Sequence, residues 1–256
     1  VCDPMRFRQI VGSLIYLTIT RPDLSYPVGV INQFMARPTE EHLQCAQRVV
    51  RYVSGTKDRG LLYWTGTATQ LVGYTDADWA GNAADRWSTS GYVFSLGSVV
   101  IALSNKKQPT VALSSTEAEY RGAAVDTCES IRLKWLFKDL QEEVSDPTRI
   151  YCNNLSSIQL AKNPVFHART KNIEVHYHFV CERVLSGEVE LRYVSTDRQT
   201  TDIFTKPLGL DKLRQFLGAL GLCHLDVPNL RVRSVSRDRA REQGRSRMTN
   251  STSDWL

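Results

Sequence analysis

Closely spaced cysteines are missing from this 256-residue sequence. The six cysteines stand at positions 2, 45, 128, 152, 181 and 223, too scattered for a zinc knuckle or a redox pair, and reduced thiols of an intracellular protein are the expectation. Long apolar runs are missing too. The longest nearly apolar stretch, Val93 to Leu103, contains two serines and a glycine. It falls short of the roughly 20 residues a membrane span needs and reads as two buried strands. No charged-then-apolar segment opens the chain, so no secretory signal is visible. The first residue is Val1 rather than Met, so a continuation on the N-terminal side is expected. Internal repeats are absent. So is a strong charge of either sign: the net charge is +5, and residues 224–256, with seven arginines and four acids, carry +3 of it. A uniformly basic coat for nucleic acid is excluded, and any such contact on the body has to come from local clustering.

What is present is the composition of a soluble globular protein, 42% apolar and 23% charged, long enough for one large domain or two small ones. Residues 1–62 read as helical. Apolar stretches from Ile10 to Ile19 and from Tyr26 to Met35 end near Pro22 and Pro38. A third helix capped by Thr39 would align Leu43, Ala46, Val49, Val50 and Val53, with Gly55 and Gly60 breaking the pattern. Residues 70–103 read as strands, with a hairpin at Gly97-Ser98. A long helix over about 114–140 follows, with Tyr120, Ala124, Cys128, Ile131 and Trp135 at steps of three and four. A strand at Ile150–Cys152, helices at 155–162 and 173–185, and a strand at Glu188–Val194 complete the body. The order β-β-β-α-β-α-α-β-α predicts an α/β fold, a mixed sheet with helices packed on it. From about 223 onward, arginine and serine replace apolar residues, and a disordered basic tail is expected.

Four polar motifs lie on separate elements: Gly73-Tyr-Thr-Asp-Ala-Asp-Trp-Ala-Gly81, Ser114-Ser-Thr-Glu-Ala-Glu-Tyr120, Ile150-Tyr-Cys-Asn-Asn154 and Asp202-Ile-Phe-Thr-Lys-Pro207. Carboxylates brought together from several elements signal metal binding, because they repel one another strongly without a cation. The residues alone leave choices open. Asp76 is read as ending a strand, with Asp78 as its rival at the following turn. Ser114 with Glu117 and Thr116 with Glu119 both fit a capping box. Asp202 could be an ordinary N-cap. Two histidines two apart, His176 and His178, do not face each other on a helix, which argues against zinc. Trp79 and Trp87 could stack on a sugar or base, but as isolated aromatics in a β-rich region they read first as core residues.

Taken in order, the four motifs resemble those of the ribonuclease H domain of copia-type retrotransposon Pol polyproteins. Val11-Gly-Ser-Leu-Ile-Tyr-Leu17, Thr20-Arg-Pro-Asp23, Arg51-Tyr-Val-Ser-Gly55 and Gly60-Leu-Leu-Tyr63 resemble the end of the reverse transcriptase of the same elements, beyond its polymerase site. No Asp-Asp pair occurs in the chain, so this segment cannot polymerise. The resemblance covers about residues 6–222. It implies a ribonuclease H-like mixed sheet with flanking helices, preceded by a small helical segment. The implied divisions are a reverse transcriptase end at 1–64, a ribonuclease H-like domain at 70–207, a C-terminal helix at 208–222 and a tail at 223–256.

The resemblance also chooses among the candidates. It implies metal ligation by Asp76, Glu119 and Asp202, with Glu117 left as a cap and Asn153 standing where the family has the fourth carboxylate. Two Mg2+ or Mn2+ ions would activate water and stabilise the leaving oxygen. A neutral amide at 153 implies a weakened site, and Leu155, where a glutamine is usual, is a further departure. Arg169 and Lys171 resemble the family's Arg-Thr-Lys and imply phosphate contacts, although Asn172 replaces a usual histidine. The implied function is endonucleolytic hydrolysis of the RNA strand of an RNA–DNA hybrid during reverse transcription. The implied partners are that hybrid and the remainder of a Pol polyprotein, without a membrane; the implied location is intracellular, and cytoplasmic within a virus-like particle if the chain is part of an active element. The alternative is a catalytically dead remnant that at most binds nucleic acid.

Overall fold

Several of the helices begin where the sequence supplies a cap. In the computed structural model, which describes residues 3–63, 70–81, 86–97, 99–142, 144–163 and 174–225, Asp3 accepts from the Met5 and Arg6 amides and Pro4 opens α1 (Pro4–Leu17). A proline at this place loses nothing, because its missing N–H would have no helical partner. Thr39 caps α3 (Glu40–Gly55), with the His42 ring closing the box where glutamate is more usual. Between them lies α2 (Ser25–Asn32). Phe7, Val11, Leu14, Val28, Ile31, Leu43, Ala46 and Val49 bury one another in a small core. Arg21 and Asp23, within the Thr-Arg-Pro-Asp motif, form a buried two-pronged ion pair at 2.9 and 2.7 Å. Arg21 also donates to the Thr56 carbonyl at 2.9 Å and so closes the end of α3.

The all-helical expectation for residues 1–62 needs one correction. Arg59–Leu61 is a strand, β1, paired antiparallel with β7 (Leu222–His224). Its partner lies some 160 residues away, so no local periodicity could reveal it. The same pairing corrects the start of the expected tail, since Cys223 and His224 belong to β7; residues 226–256 lie outside the described ones.

The main sheet has five strands: β2 (Leu71–Asp78), β3 (Thr89–Leu96), β4 (Val99–Lys107), β5 (Thr148–Cys152) and β6 (Val189–Tyr193). Their order is β4-β3-β2-β5-β6, with β2 to β4 antiparallel and β5 and β6 parallel to β2. This is the mixed α/β sheet the element order predicts. On one face, α4 (Ser115–Asp139), α5 (Leu155–Lys162) and α6 (Glu174–Leu185) cover Leu71, Phe94, Ile150 and Leu191. On the other, α7 (Asp202–Thr205) and α8 (Leu210–Ala219) cover Val93 and Val100 with Ile203, Phe204, Phe216 and Leu217.

Beyond Ala124 the buried stripe of α4 turns largely polar. Cys128 and Trp135 point outward, and Trp135 is 67% exposed, whereas Asp126, Thr127 and Ser130 are buried against the sheet. The periodic apolar series therefore marks the wrong side of this helix beyond Ala124.

The helical segment sits directly on the sheet body. Helix α2 packs on β4 and α7. Gly29 makes the close approach possible: a Cβ there would lie 3.1 Å from the Asn105 amide. That amide donates to the Phe204 carbonyl at 2.6 Å.

Candidate active site

The parallel register of β2 and β5 places two of the four motif residues side by side. Thr75 pairs with Cys152, the last pair of the two strands, so Asp76 and Asn153 each follow directly on a paired residue. β2 does not stop there, however. Its antiparallel pairing with β3 continues to Asp78 opposite Thr89, which corrects both the reading of Asp76 as a strand end and that of Asp78 as a turn residue. Being two apart in a strand, the two aspartates share a face. Asp76 is buried and Asp78 half-buried. Burial, then the neighbouring Asp76 charge, raises the Asp78 carboxyl above its ordinary range, and the Lys206 charge partly offsets this.

Helix α7 brings the third residue. Thr201 precedes it, so Asp202 is the first helical residue rather than the N-cap. The helix is fixed at both ends: Gln199 Nε2 donates to the Thr75 carbonyl at 2.6 Å, and Asn105 holds the Phe204 carbonyl. Thr205 Oγ1 donates to Asp76 Oδ2. One turn past Asp202, the Lys206 ammonium lies 2.8 Å from Asp202 Oδ1 and 3.3 Å from the Asp76 carboxylate. Burial raises the Asp202 carboxyl, and its hydrogen bond to Lys206 works against that rise. Burial alone would lower Lys206, but the Asp76 and Asp202 carboxylates prevail and raise it.

Glu119 arrives from α4. Ser114 caps that helix by accepting from the Glu117 amide at 3.1 Å. Glu117 turns back to accept from the Leu113 amide at 2.8 Å and pairs with Arg121 at 2.6 Å. Glu117 is thereby held at the helix start, on the Leu113 amide rather than the Ser114 amide of a capping box, and Glu119 faces the sheet. Its Oε2 lies 4.0 Å from Cys152 Sγ at the end of β5. Burial pushes the Glu119 carboxyl up to about 8, with the Asp76 charge adding to the rise and Lys206 opposing it. Two turns deeper, Asp126 is fully enclosed, and burial raises it well above the carboxylate range.

Three buried carboxylates from three elements thus act on one another around a single ammonium group. Asn153 is half-buried at the end of β5, and Asn154 beyond it caps α5 by accepting from the Ser157 amide at 3.0 Å. The donor set has the oxygen chemistry that magnesium and manganese require. It is not closed into a cage: among the described residues, no three His, Cys, Asp or Glu side chains are grouped as metal ligands. The oxygen set has the chemistry of a cation site, and the place between Asp76 and Asp202 holds the protein's own ammonium.

Arg169 and Lys171 lie outside the described residues. Trp79 is not core: it is 46% exposed, with its indole nitrogen donating to the Ala112 carbonyl. His176 and His178 lie exposed on α6. Lys206, Thr205, Gln199 and Asn105 were missed as site residues. Only Lys206 carried a readable signal, its i+4 spacing from Asp202. No helix among the described residues is long and apolar enough to cross a membrane.

No family model matches the chain. It is 44% identical over 220 residues, 86% of its length, to the retrovirus-related Pol polyprotein from transposon RE1 of Arabidopsis thaliana. It is equally 44% identical over 223 residues to the polyprotein from transposon RE2 of the same plant. The chain spans about 15% of the length of each. Among solved structures, LC11-RNase H1 isolated from compost is similar at 13% identity with a TM-score of 0.40, covering 58% of this chain and 99% of that one.

Proposed function

The chain belongs with the retrovirus-related Pol polyproteins of transposons, as a homologue of one segment of them, and on that footing we propose that it binds an RNA–DNA hybrid and hydrolyses its RNA strand as a ribonuclease H-like endonuclease, at a rate held down by Asn153. The observation that supports this reading is that Asp76, Glu119 and Asp202, all buried and carried by β2, α4 and α7, lie near enough for the two aspartate charges to act on Glu119, with Lys206 bridging the aspartates. These three would hold divalent cations, which when bound supply an activated water and a stabilised leaving oxygen. Asn153 would offer a neutral carbonyl oxygen in place of a carboxylate. Thr205 and Gln199 keep Asp76 and its strand in position. Arg169 and Lys171 are proposed to contact phosphates, and the hybrid is recognised by shape and 2′-hydroxyls rather than by sequence.

A second reading is favoured by a specific pair of features: the amide at 153, and an ammonium group already seated between Asp76 and Asp202. In this reading the chain is a remnant that binds hybrid nucleic acid without cutting it. One assay separates the two. With Mg2+ or Mn2+ and a labelled hybrid, the wild type cleaves slowly and Asn153→Asp is at least about tenfold faster, the factor that 1.4 kcal/mol of transition-state stabilisation carries. Binding that weakens with salt but no cleavage by either form supports the remnant. A fast wild-type rate abolished by Asp76→Asn removes the brake assigned to Asn153.

A further inference from the structure

The hydrolytic reading above gives the Lys206 charge no role. Lys206 is the ammonium that lies within hydrogen-bonding reach of both Asp76 and Asp202, and its field also acts on Glu119 and Asp78. The two aspartates it touches are almost sealed, at 1% and 3% exposure, while the lysine side chain is 35% exposed. The aspartates are fixed by their strand and by a helix pinned at both ends. The lysine, at the C-terminal cap of α7, is attached through a flexible four-carbon stem. A groove of about 490 Å³ opens beside that stem, lined by Tyr26, Pro27, Ile203, Pro207 and Leu208 among others. The rigid partners are therefore buried anions, and the movable partner has room to leave.

We propose that Lys206 is a built-in counter-ion for the Asp76–Asp202 pair, one that holds the site together without metal and swings outward to solvent, its stem along the adjoining groove, when a divalent cation binds. The counter-ion role rests on geometry alone; the competition with metal rests on the metal reading of Asp76, Glu119 and Asp202. Removing the lysine leaves buried carboxylates facing one another without compensation, which costs stability. The same removal vacates the place a divalent cation needs.

The experiment pairs two measurements on Lys206→Met, which keeps the apolar stem, and Lys206→Arg, which keeps the charge. The first is thermal melting in chelator at neutral pH and low salt. Lys206→Met is expected to melt below wild type and Lys206→Arg close to it; equal melting of all three overturns the counter-ion. The second is Mn2+ binding followed by the paramagnetic signal of the free ion, with Asp76→Asn as control. Lys206→Met is expected to bind Mn2+ on the order of tenfold more tightly than wild type, about 1.4 kcal/mol, and to regain its lost melting temperature when Mn2+ is added. Unchanged or weaker Mn2+ binding by Lys206→Met overturns the competition. No Mn2+ binding by any form, with the melting difference intact, sinks the metal reading of the three carboxylates and leaves the counter-ion standing.

Discussion

Glu119 shows how a single side chain can trade stability for a site. Its carboxyl, with an ordinary value of 4.5, is pushed up to about 8 by burial first and by Asp76 second. Between those two values the folded chain holds a proton that the unfolded chain has released. Stability therefore falls as pH rises from about 4.5 to about 8 and levels off above, at a slope approaching about 1.4 kcal/mol per pH unit for one group. Glu119→Gln, measured by urea unfolding in chelator, should flatten this dependence and raise stability at pH 8. An unchanged profile would mean that Glu119 is solvated rather than buried beside Asp76. The sequence made much of this residue readable: the helix start, the rival Glu117 and its cap were all visible in seven letters. What it could not show was Lys206 turning back on Asp202, because a lysine at i+4 on a short helix looks like any solvated salt bridge until its partner proves buried.

At the scale of elements, capped helices and glycine-broken strands were legible. The limits of α4, α5 and α6 fell within one or two residues of the expected ones, and Ser114 announces the first of them. The inward face of α4 was not legible, because hydrophobic period assumes that buried means apolar and here Asp126, Thr127 and Ser130 lie inside. Asp76 and Asp78 were misplaced for a related reason: a polar run reads as a turn, whereas β3 extends far enough to pair with it. The Arg21–Asp23 pair makes the testable point about the helical segment. It is buried, two-pronged and joined to the end of α3. Asp23→Ala strands the guanidinium and should cost about 3–5 kcal/mol in urea unfolding, while replacing both residues with apolar ones should cost much less. Equal costs would mean that the pair's worth lies in packing rather than in charge.

For the whole molecule, sequence divided the chain more sharply than the structure does. The first sixty residues have their own core, yet β1 pairs with β7, and α2 packs on both β4 and α7. Contacts between distant segments leave no mark on local pattern, which is why this joint was invisible in the letters. A joint of this kind predicts one unfolding unit. Amide exchange at Val49 in α3 and at Phe94 in β3, followed through increasing urea, should accelerate at the same midpoint. Earlier opening of α1–α3 would show that the segment is only an attached neighbour.

The seam between β1 and β7 has one more consequence. The Leu225 amide bonds back to the Asp58 carbonyl and the Leu62 amide to the Gly221 carbonyl, so the late strand clasps the early one on both sides. A protease that severs the backbone between Tyr63 and Gln70 would yield two peptides and still one particle, each fragment gripping the other without a covalent link.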